Sequence, residues 1–392
     1  MNLEISKIQK TLKENKLDGW LLADFHGRNA IAVRFLGLKN LVTRRSFYFI
    51  PSEGEPIILA NPIEKHLFEH LPGKLQLYFG YKNLESELSK MLKGHKKITM
   101  EYSPSGRLPY IGLVDAGTIE LVRSSGVEIV SSSDLVSTFQ ARLDNDQIEL
   151  HRRAAANVLN IKDQAFSFVR DSIEKGDSIT EFDVVKFVLN KFDEFEMETD
   201  HGPICAVDSN AGNPHYEPTE KHSAKIGKGQ LVLLDLWGKL KLPSGVFGDI
   251  TWVAFTGSRS EIPKKLSDFF AIVVKARDAA VDYLEKNFGN KDLFGADVDD
   301  AVRKVITDAC YGKYFVHRTG HSITTEVHGV GPNIDNLETE DRRVLQPGHL
   351  FSVEPGIYME DCGFRSEINV LITENGPQVT TLPLQTELTA LF

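Results

Sequence analysis

Leu231-Val232-Leu233-Leu234-Asp235-Leu236-Trp237-Gly238 is an apolar run that sets one acid among leucines, and Gly248-Asp249-Ile250-Thr251 returns with a second acid. The segment between them, Lys239-Leu-Lys-Leu-Pro-Ser-Gly245, reads as a turn or a long hairpin connection. The two runs are therefore expected as antiparallel neighbours, with Asp235 and Asp249 able to face each other. Three more candidate ligands follow in order. His321 lies in Thr-Gly320-His321-Ser, Glu354 in Val-Glu354-Pro355-Gly356, and Glu367 in Arg365-Ser-Glu367. Glu354 and Glu367 are expected as a second hairpin pair, and Gly320 as a close backbone approach that aims the His321 imidazole.

Each of these residues alone would ordinarily be a cap, a turn residue or a surface charge. Their apolar strand contexts argue otherwise, because a buried charge needs a partner. Four carboxylates and an imidazole form a hard, oxygen-rich donor set, suited to two divalent ions and a reactive water. Metal is the natural compensation for acids that would otherwise repel one another.

Outward from these strands, apolar residues recur at threes and fours from Gln147 through Ile148, His151, Ala155, Val158 and Phe166, which predicts a long helix closed near Gly176. Ser178-Ile-Thr-Glu181 resembles a capping box that opens a helix over Phe182–Phe192. A second helical pair is expected over Asp268–Lys286 and Val298–Ala309, with strands over Ile250–Phe255, Leu350–Val353 and Ile368–Ile372. Two helix pairs, each followed by strands, suggest an internally duplicated α+β domain over residues 136–392. Residues 1–135 read as a smaller α/β domain, with an amphipathic opening (Leu3, Ile5, Ile8, Leu12, Leu17) and strand-like runs at Gly19–Ala23, Arg45–Ile50, Pro56–Ala60, Lys97–Glu101 and Gly126–Val130. The boundary is placed near Ser131–Asp134, followed by a helix-like connector. The smaller domain has neither a histidine–carboxylate cluster nor a Gly-rich phosphate loop, so it is expected as a lid, specificity wall or oligomer contact.

The chain has 392 residues, a length that favours two domains. A formal net charge of -10 argues against a nucleic-acid partner. The N-terminal residues have no apolar core of signal-peptide length, and no run reaches membrane-spanning length, so a cytoplasmic, non-membrane protein is expected. Cys205, Cys310 and Cys362 are too few and too scattered for a disulfide framework or a thiolate zinc site.

Taken together, Gly248-Asp-Ile-Thr251, His317-Arg-Thr-Gly-His321 with His328 seven residues later, Val353-Glu-Pro-Gly356 and Arg365-Ser-Glu367 resemble the pita-bread metallopeptidase family. That family holds Xaa-Pro dipeptidases, Xaa-Pro aminopeptidases and methionine aminopeptidases. The likeness spans about residues 140–392. Arg44-Arg45-Ser-Phe-Tyr-Phe-Ile also resembles the N-terminal domain of the creatinase/prolidase branch. The resemblance implies two divalent ions, Mn²⁺ first, with Co²⁺ or Zn²⁺ as alternatives. It implies that Asp235 chelates one ion, that Asp249 and Glu367 bridge both, and that His321 and Glu354 complete the other. A water between the ions would be the nucleophile, with Glu354 as the proton carrier. His215 and His328 match substrate-site histidines, and His328 would donate to the peptide oxygen. His317 is expected to support the site. Thr251 and Arg365 would orient or counterbalance the bridging carboxylates, and Trp252 would pack beside them.

The resemblance implies hydrolysis of an N-terminal Xaa-Pro bond by a homodimer acting on Xaa-Pro dipeptides or short peptides. Two departures bear on the substrate. The connection from Asp235 to Asp249 is longer than the family's usual return. Gly329-Val-Gly-Pro332 also puts proline where many dipeptidases carry an arginine for the free carboxylate. Dipeptides are favoured on chain length. An aminopeptidase of longer Xaa-Pro peptides is a close alternative, and a non-catalytic peptide-binding homologue is a third reading.

Overall fold

A computed structural model describes residues 4–392, which form two compact units that divide between Gln140 and Ala141. Leu3 lies outside the described residues. In the first unit six strands run in the spatial order Lys74–Leu77, Ile57–Ala60, Ser46–Pro51, Gly19–Asp24, Lys97–Met100 and Glu128–Ser131. Gly19–Asp24 pairs antiparallel with Ser46–Pro51 and parallel with Lys97–Met100. The Lys74–Leu77 strand was not expected, because Lys-Leu-Gln-Leu is short and half polar and carries little β signal of its own. The core includes Leu21, Phe47, Phe49, Leu84, Leu88 and Ile98. Beneath it Glu101 is fully buried and accepts hydrogen bonds from Trp20 Nε1 (2.7 Å), Asn29 Nδ2 (2.8 Å) and Ser132 Oγ (3.1 Å). The opening helix, Ile5–Glu14, buries Ile8 and Leu12. Ser133–Gln140, expected as a helix-like connector after a boundary near Ser131–Asp134, is a helix of the first unit, and the division falls after it.

The second unit begins with the long helix Asn145–Lys175. Asp144 caps it with Gln147 in a reciprocal capping box, and Gly176 ends it in the left-handed region (φ 78°). The next helix is Glu181–Glu194, and its capping box is Thr180 with Asp183. That corrects the Ser178–Glu181 assignment. Ile179–Thr180 is a short strand paired with Lys225–Ile226, which moves the N-cap two residues on and frees the Glu181 carboxylate for another task. The second helical pair is Lys264–Asn287 and Gly295–Asp308, so the helix–helix–sheet order occurs twice.

Each helical pair is followed by one of two antiparallel sheets. In one, Leu231–Leu240 lies between Gly248–Phe255 and Ile204–Val207. In the other, Leu350–Val353 and Ile368–Thr373 lie between Ser322–Ile323 and Gly376–Val379. The long helix packs on the first sheet through Val158, Ile161, Val232, Leu234 and Ile250. It approaches so closely that a Cβ on Gly248 would lie 2.7 Å from the Ala155 nitrogen, which explains the glycine beside Asp249. Gly238 and Gly248 are the last cross-strand partners, so the residues between them form a long hairpin connection, of which Lys239–Leu240 pair with Met197–Glu198. No helix among the described residues is long and apolar enough to cross a membrane.

Candidate metal centre

Asp235 pairs with Thr251, and Trp237 with Asp249, across the first hairpin. Side chains alternate along a strand, so Asp235, Thr251 and Asp249 share one face and the two acids are diagonal neighbours. Trp252 points to the other face, where the Lys162 ammonium lies 3.7 Å from its ring centroid. It was expected beside the site and instead packs behind the strand, against the core under the long helix.

The second pair of acids follows from the same kind of register. Val353 pairs with Ile368, and Gly356 pairs with Arg365 in a small hairpin of Gly356–Tyr358 and Gly363–Arg365. The register is continuous through the break at Pro355 and Ser366, which leaves Glu354 directly opposite Glu367. His321 comes from the turn before Ser322–Ile323. A Cβ on Gly320 would lie 1.9 Å from the Ser352 carbonyl oxygen, so only glycine lets that turn sit against the strand leading to Glu354.

Asn369 joins the two sheets. Its side-chain amide accepts from Asp249 N (2.9 Å) and donates to Asp249 O (2.8 Å), a mimic of strand pairing. Glu367 N donates to Thr251 O (3.2 Å), and Thr251 Oγ1 donates to Glu367 Oε2 (2.8 Å). Potential ligand atoms of Asp249, His321 and Glu367 thereby come within 4.8 Å of one another, all buried. That span suits atoms on opposite sides of one ion with bonds of about 2.4 Å. Glu354 Oε1 lies 3.4 Å and Asp249 Oδ2 3.5 Å from His321 Nε2. Asp235 accepts through Oδ2 from Arg365 Nη2, while its Oδ1 is buried with no hydrogen-bond partner.

The electrostatics favour a cation at this point. Burial pushes Asp249 well above the usual carboxylate range, and the charges of Asp235 and Glu354 add to it. Glu367 is pushed the same way by burial, then by Asp249 and Glu354. Burial raises Asp235 against the pull of Arg365, and raises Glu354 to about 7 against the same pull. Burial holds His321 well below its ordinary value, and His328 and Arg318 add to that. With Nδ1 directed at the Ser322 carbonyl (3.3 Å), neutral His321 presents the Nε2 lone pair to two carboxylate oxygens. A cation between them makes that arrangement favourable with the acids ionised, so the residues fit a metal site.

The flanking residues were expected in part. Thr251 does hold Glu367, but Arg365 reaches Asp235 and Thr251 Oγ1 (2.9 Å) rather than Asp249 or Glu367, with Glu354 Oε2 at 4.0 Å. Arg365 also donates to Tyr358 OH (3.0 Å), which bonds His317 Nε2 (2.7 Å), while His317 Nδ1 faces the Arg318 carbonyl (2.7 Å). Burial, with the Arg365 charge, depresses His317 to about 3, so it is a neutral spacer in this chain of bonds. The His328 ring lies 4.4 Å from that of His321, centroid to centroid, and keeps a solvent-accessible face. His215 is exposed in the turn Asn213–Tyr216, where Pro214 O accepts from Arg365 Nη1 (3.4 Å), and its charge bears on Asp235. Tyr358, Asn369 and Ser352, which donates to Glu354 Oε1 (3.1 Å), were not anticipated from sequence. The three cysteines are free, with Cys205 and Cys362 buried.

The fold and the convergent donors define a metallopeptidase: residues 149–374 match the model of metallopeptidase family M24, and the chain belongs to that family. It is 30% identical over 296 residues to a Xaa-Pro dipeptidase of Lactobacillus delbrueckii subsp. lactis, covering 72% of this chain and 74% of that protein. It is 26% identical over 393 residues to a Xaa-Pro dipeptidase of Pyrococcus horikoshii, covering 97% of each. Among solved structures, the dipeptidase PepE from Mycobacterium ulcerans superposes with a TM-score of 0.75 at 20% identity, over 99% of this chain and 96% of that one. A prolidase from Thermococcus sibiricus superposes at 0.67 and 25% identity, over 100% and 99%. The architecture is thus α+β, with a C-terminal pita-bread domain and a distinct N-terminal α/β region.

Proposed function

We propose that this protein hydrolyses the N-terminal Xaa-Pro bond of dipeptides, using two divalent ions held by Asp235, Asp249, His321, Glu354 and Glu367, with Mn²⁺ as the first choice. The observation that carries the reading is the convergence of Asp249, His321 and Glu367 beside the unpartnered Oδ1 of Asp235, in a chain of family M24. The names of its relatives in Lactobacillus and Pyrococcus support the substrate. When bound, the metals would supply Lewis acidity toward the carbonyl and a readily deprotonated water.

The chain's own residues do the rest. Arg365 orients Asp235 and opposes the effect of burial on its carboxylate. Ser352 fixes one Glu354 oxygen, leaving the carboxylate to take a proton from the attacking water and pass it to the leaving proline nitrogen as the C–N bond breaks. His328 donates a ring N–H to the peptide oxygen as charge develops there, and His215 contacts the substrate from the opposite loop. Proline has no amide hydrogen and a fixed φ, so its recognition depends on pocket shape rather than on extended-peptide pairing.

Hydrolysis of Ala-Pro, Ala-Pro-Ala, Ala-Ala and Met-Ala, each with Mn²⁺, Co²⁺ and Zn²⁺ separately, tests the reading through kcat/KM. Ala-Pro is expected to lead. A lead for Ala-Pro-Ala would move the function to an aminopeptidase, the alternative favoured by Pro332. A lead for Ala-Ala or Met-Ala would overturn Xaa-Pro specificity. Failure to turn over any member with metals bound would point to a peptide-binding homologue.

A further inference from the structure

We infer that Glu181 is a positioning residue for substrate, holding His215 in place by tying down the long loop that carries it. This rests on the reading in which His215 meets the substrate. Glu181 is fully buried at the start of the Glu181–Glu194 helix and is not among the candidate metal ligands. Its carboxylate accepts four hydrogen bonds, two on each oxygen. Val207 N (2.8 Å) and Asn210 Nδ2 (2.9 Å) bind Oε1, while Tyr216 OH (2.7 Å) and Ala224 N (2.7 Å) bind Oε2.

The four donors mark the loop's beginning, its middle and its end. The loop leaves the Ile204–Val207 strand and returns at the Lys225–Ile226 strand, with His215 immediately before Tyr216. Across that span regular pairing is absent, and local turns such as Asn213 O with Tyr216 N (3.1 Å) do not fix the loop to the body of the domain. Glu181 does so at four places along the loop, while Asp208, accepting from Gln230 Nε2 (2.9 Å) and Leu231 N (2.9 Å), and Ser223 Oγ, accepting from Phe182 N (2.8 Å), add single ties near its two ends. A carboxylate is suited to the task because it accepts on both oxygens and charge-assisted bonds are the strong ones. A glutamine would keep the size but turn one acceptor into a donor facing two donors. Burial and the Glu181 charge hold the Tyr216 phenol protonated, as a donor must be. The pairing also sets the His215 backbone, since Tyr216 is its direct neighbour and Pro214, on the other side, is held by Arg365. Two anchors thus flank the histidine, one leading to the metal centre and one to the helix.

The test compares Glu181→Gln, Tyr216→Phe and His215→Ala in the full chain loaded with Mn²⁺, using Ala-Pro hydrolysis, metal stoichiometry and amide hydrogen exchange over residues 207–224. Tyr216→Phe keeps the ring and removes one bond, so it remains informative if Glu181→Gln does not fold. Expected are faster exchange across the loop, unchanged metal content, and a drop in kcat/KM of roughly tenfold for Tyr216→Phe and on the order of 10²-fold for Glu181→Gln. Adding either substitution to His215→Ala should cost little more, because the histidine being positioned is already gone. Native exchange rates in both variants would overturn the anchoring. Accelerated exchange with native kinetics, while His215→Ala is impaired, would overturn the positioning role. Accelerated exchange with His215→Ala itself fully active would leave the anchor standing and refute the substrate contact of His215 instead.

Discussion

The rings of His328 and His321 lie almost in contact, yet only His321 turns a lone pair toward two carboxylates. The neighbours therefore have separable tasks, and His328→Ala should lower kcat by roughly 10²- to 10³-fold, the usual scale for one transition-state donor. Metal content by elemental analysis should match the wild type, and its loss with the fold intact would make His328 a ligand. The five proposed ligands were legible because acids and a histidine in apolar strand contexts are anomalous on their own. Asn369 and Tyr358 gave no such signal. Each is ordinary in sequence, and its importance arises only when a second sheet or a distant loop arrives beside it. Arg365 was legible as a support, but its partner was not, because which acid a guanidinium reaches is decided by packing between hairpins.

Regular elements carry the site through close approach. At Gly320 the obstruction to a side chain is backbone, the Ser352 carbonyl, and cannot rotate away. Gly320→Ala should therefore cost about 3 kcal/mol or more in urea unfolding and lower metal occupancy by displacing His321; a variant with native stability and full metal would refute the claim. His151 links the long helix to the residues before Asp249, bonding Phe247 O and Thr380 Oγ1 at 2.7 Å each. Burial lowers it to about 4, against an ordinary value near 6.5. The unfolded chain takes up its proton first. This contribution is thus complete above about pH 6.5 and is lost as the pH falls toward 4, by about 3 kcal/mol in all. Subtracting the His151→Gln stability profile from the wild-type profile should isolate that slope, and parallel profiles would exclude it. Helices were the easier elements to read, since period, caps and Gly176 agree. The Thr180 cap was missed because Ser178 and Glu181 satisfy the same pattern, and only the pairing of Ile179–Thr180 with Lys225–Ile226 decides between them. Short strands such as Lys74–Leu77 exist because neighbours pair with them, which no local pattern records.

At the scale of the whole molecule, the repeated helix–helix–sheet order was legible, and the reason for the repeat appears only when both hairpins are seen to give acids to one centre. That convergence sets a cost in the absence of metal. Asp249 and Glu367 are pushed well above the carboxylate range, and Glu354 to about 7, chiefly by burial with mutual repulsion added. Groups whose folded values are raised stabilise the fold at low pH, and that contribution is lost as pH rises through the folded values. The metal-free protein should therefore lose stability as the pH rises from the ordinary carboxylate value near 4.5 through about 7, most cleanly above pH 6.5, where the His151 contribution is complete. Divalent ions compete with those protons for the same oxygens. Saturating Mn²⁺ should then add about 2.7 kcal/mol at a hundredfold excess over Kd, and should flatten or reverse the slope because binding strengthens as the acids deprotonate. Thermal unfolding in chelator and in Mn²⁺ across that range distinguishes the outcomes. Equal Tm values with and without metal, or a metal-free Tm that rises with pH, would mean that the five residues do not form a cation site.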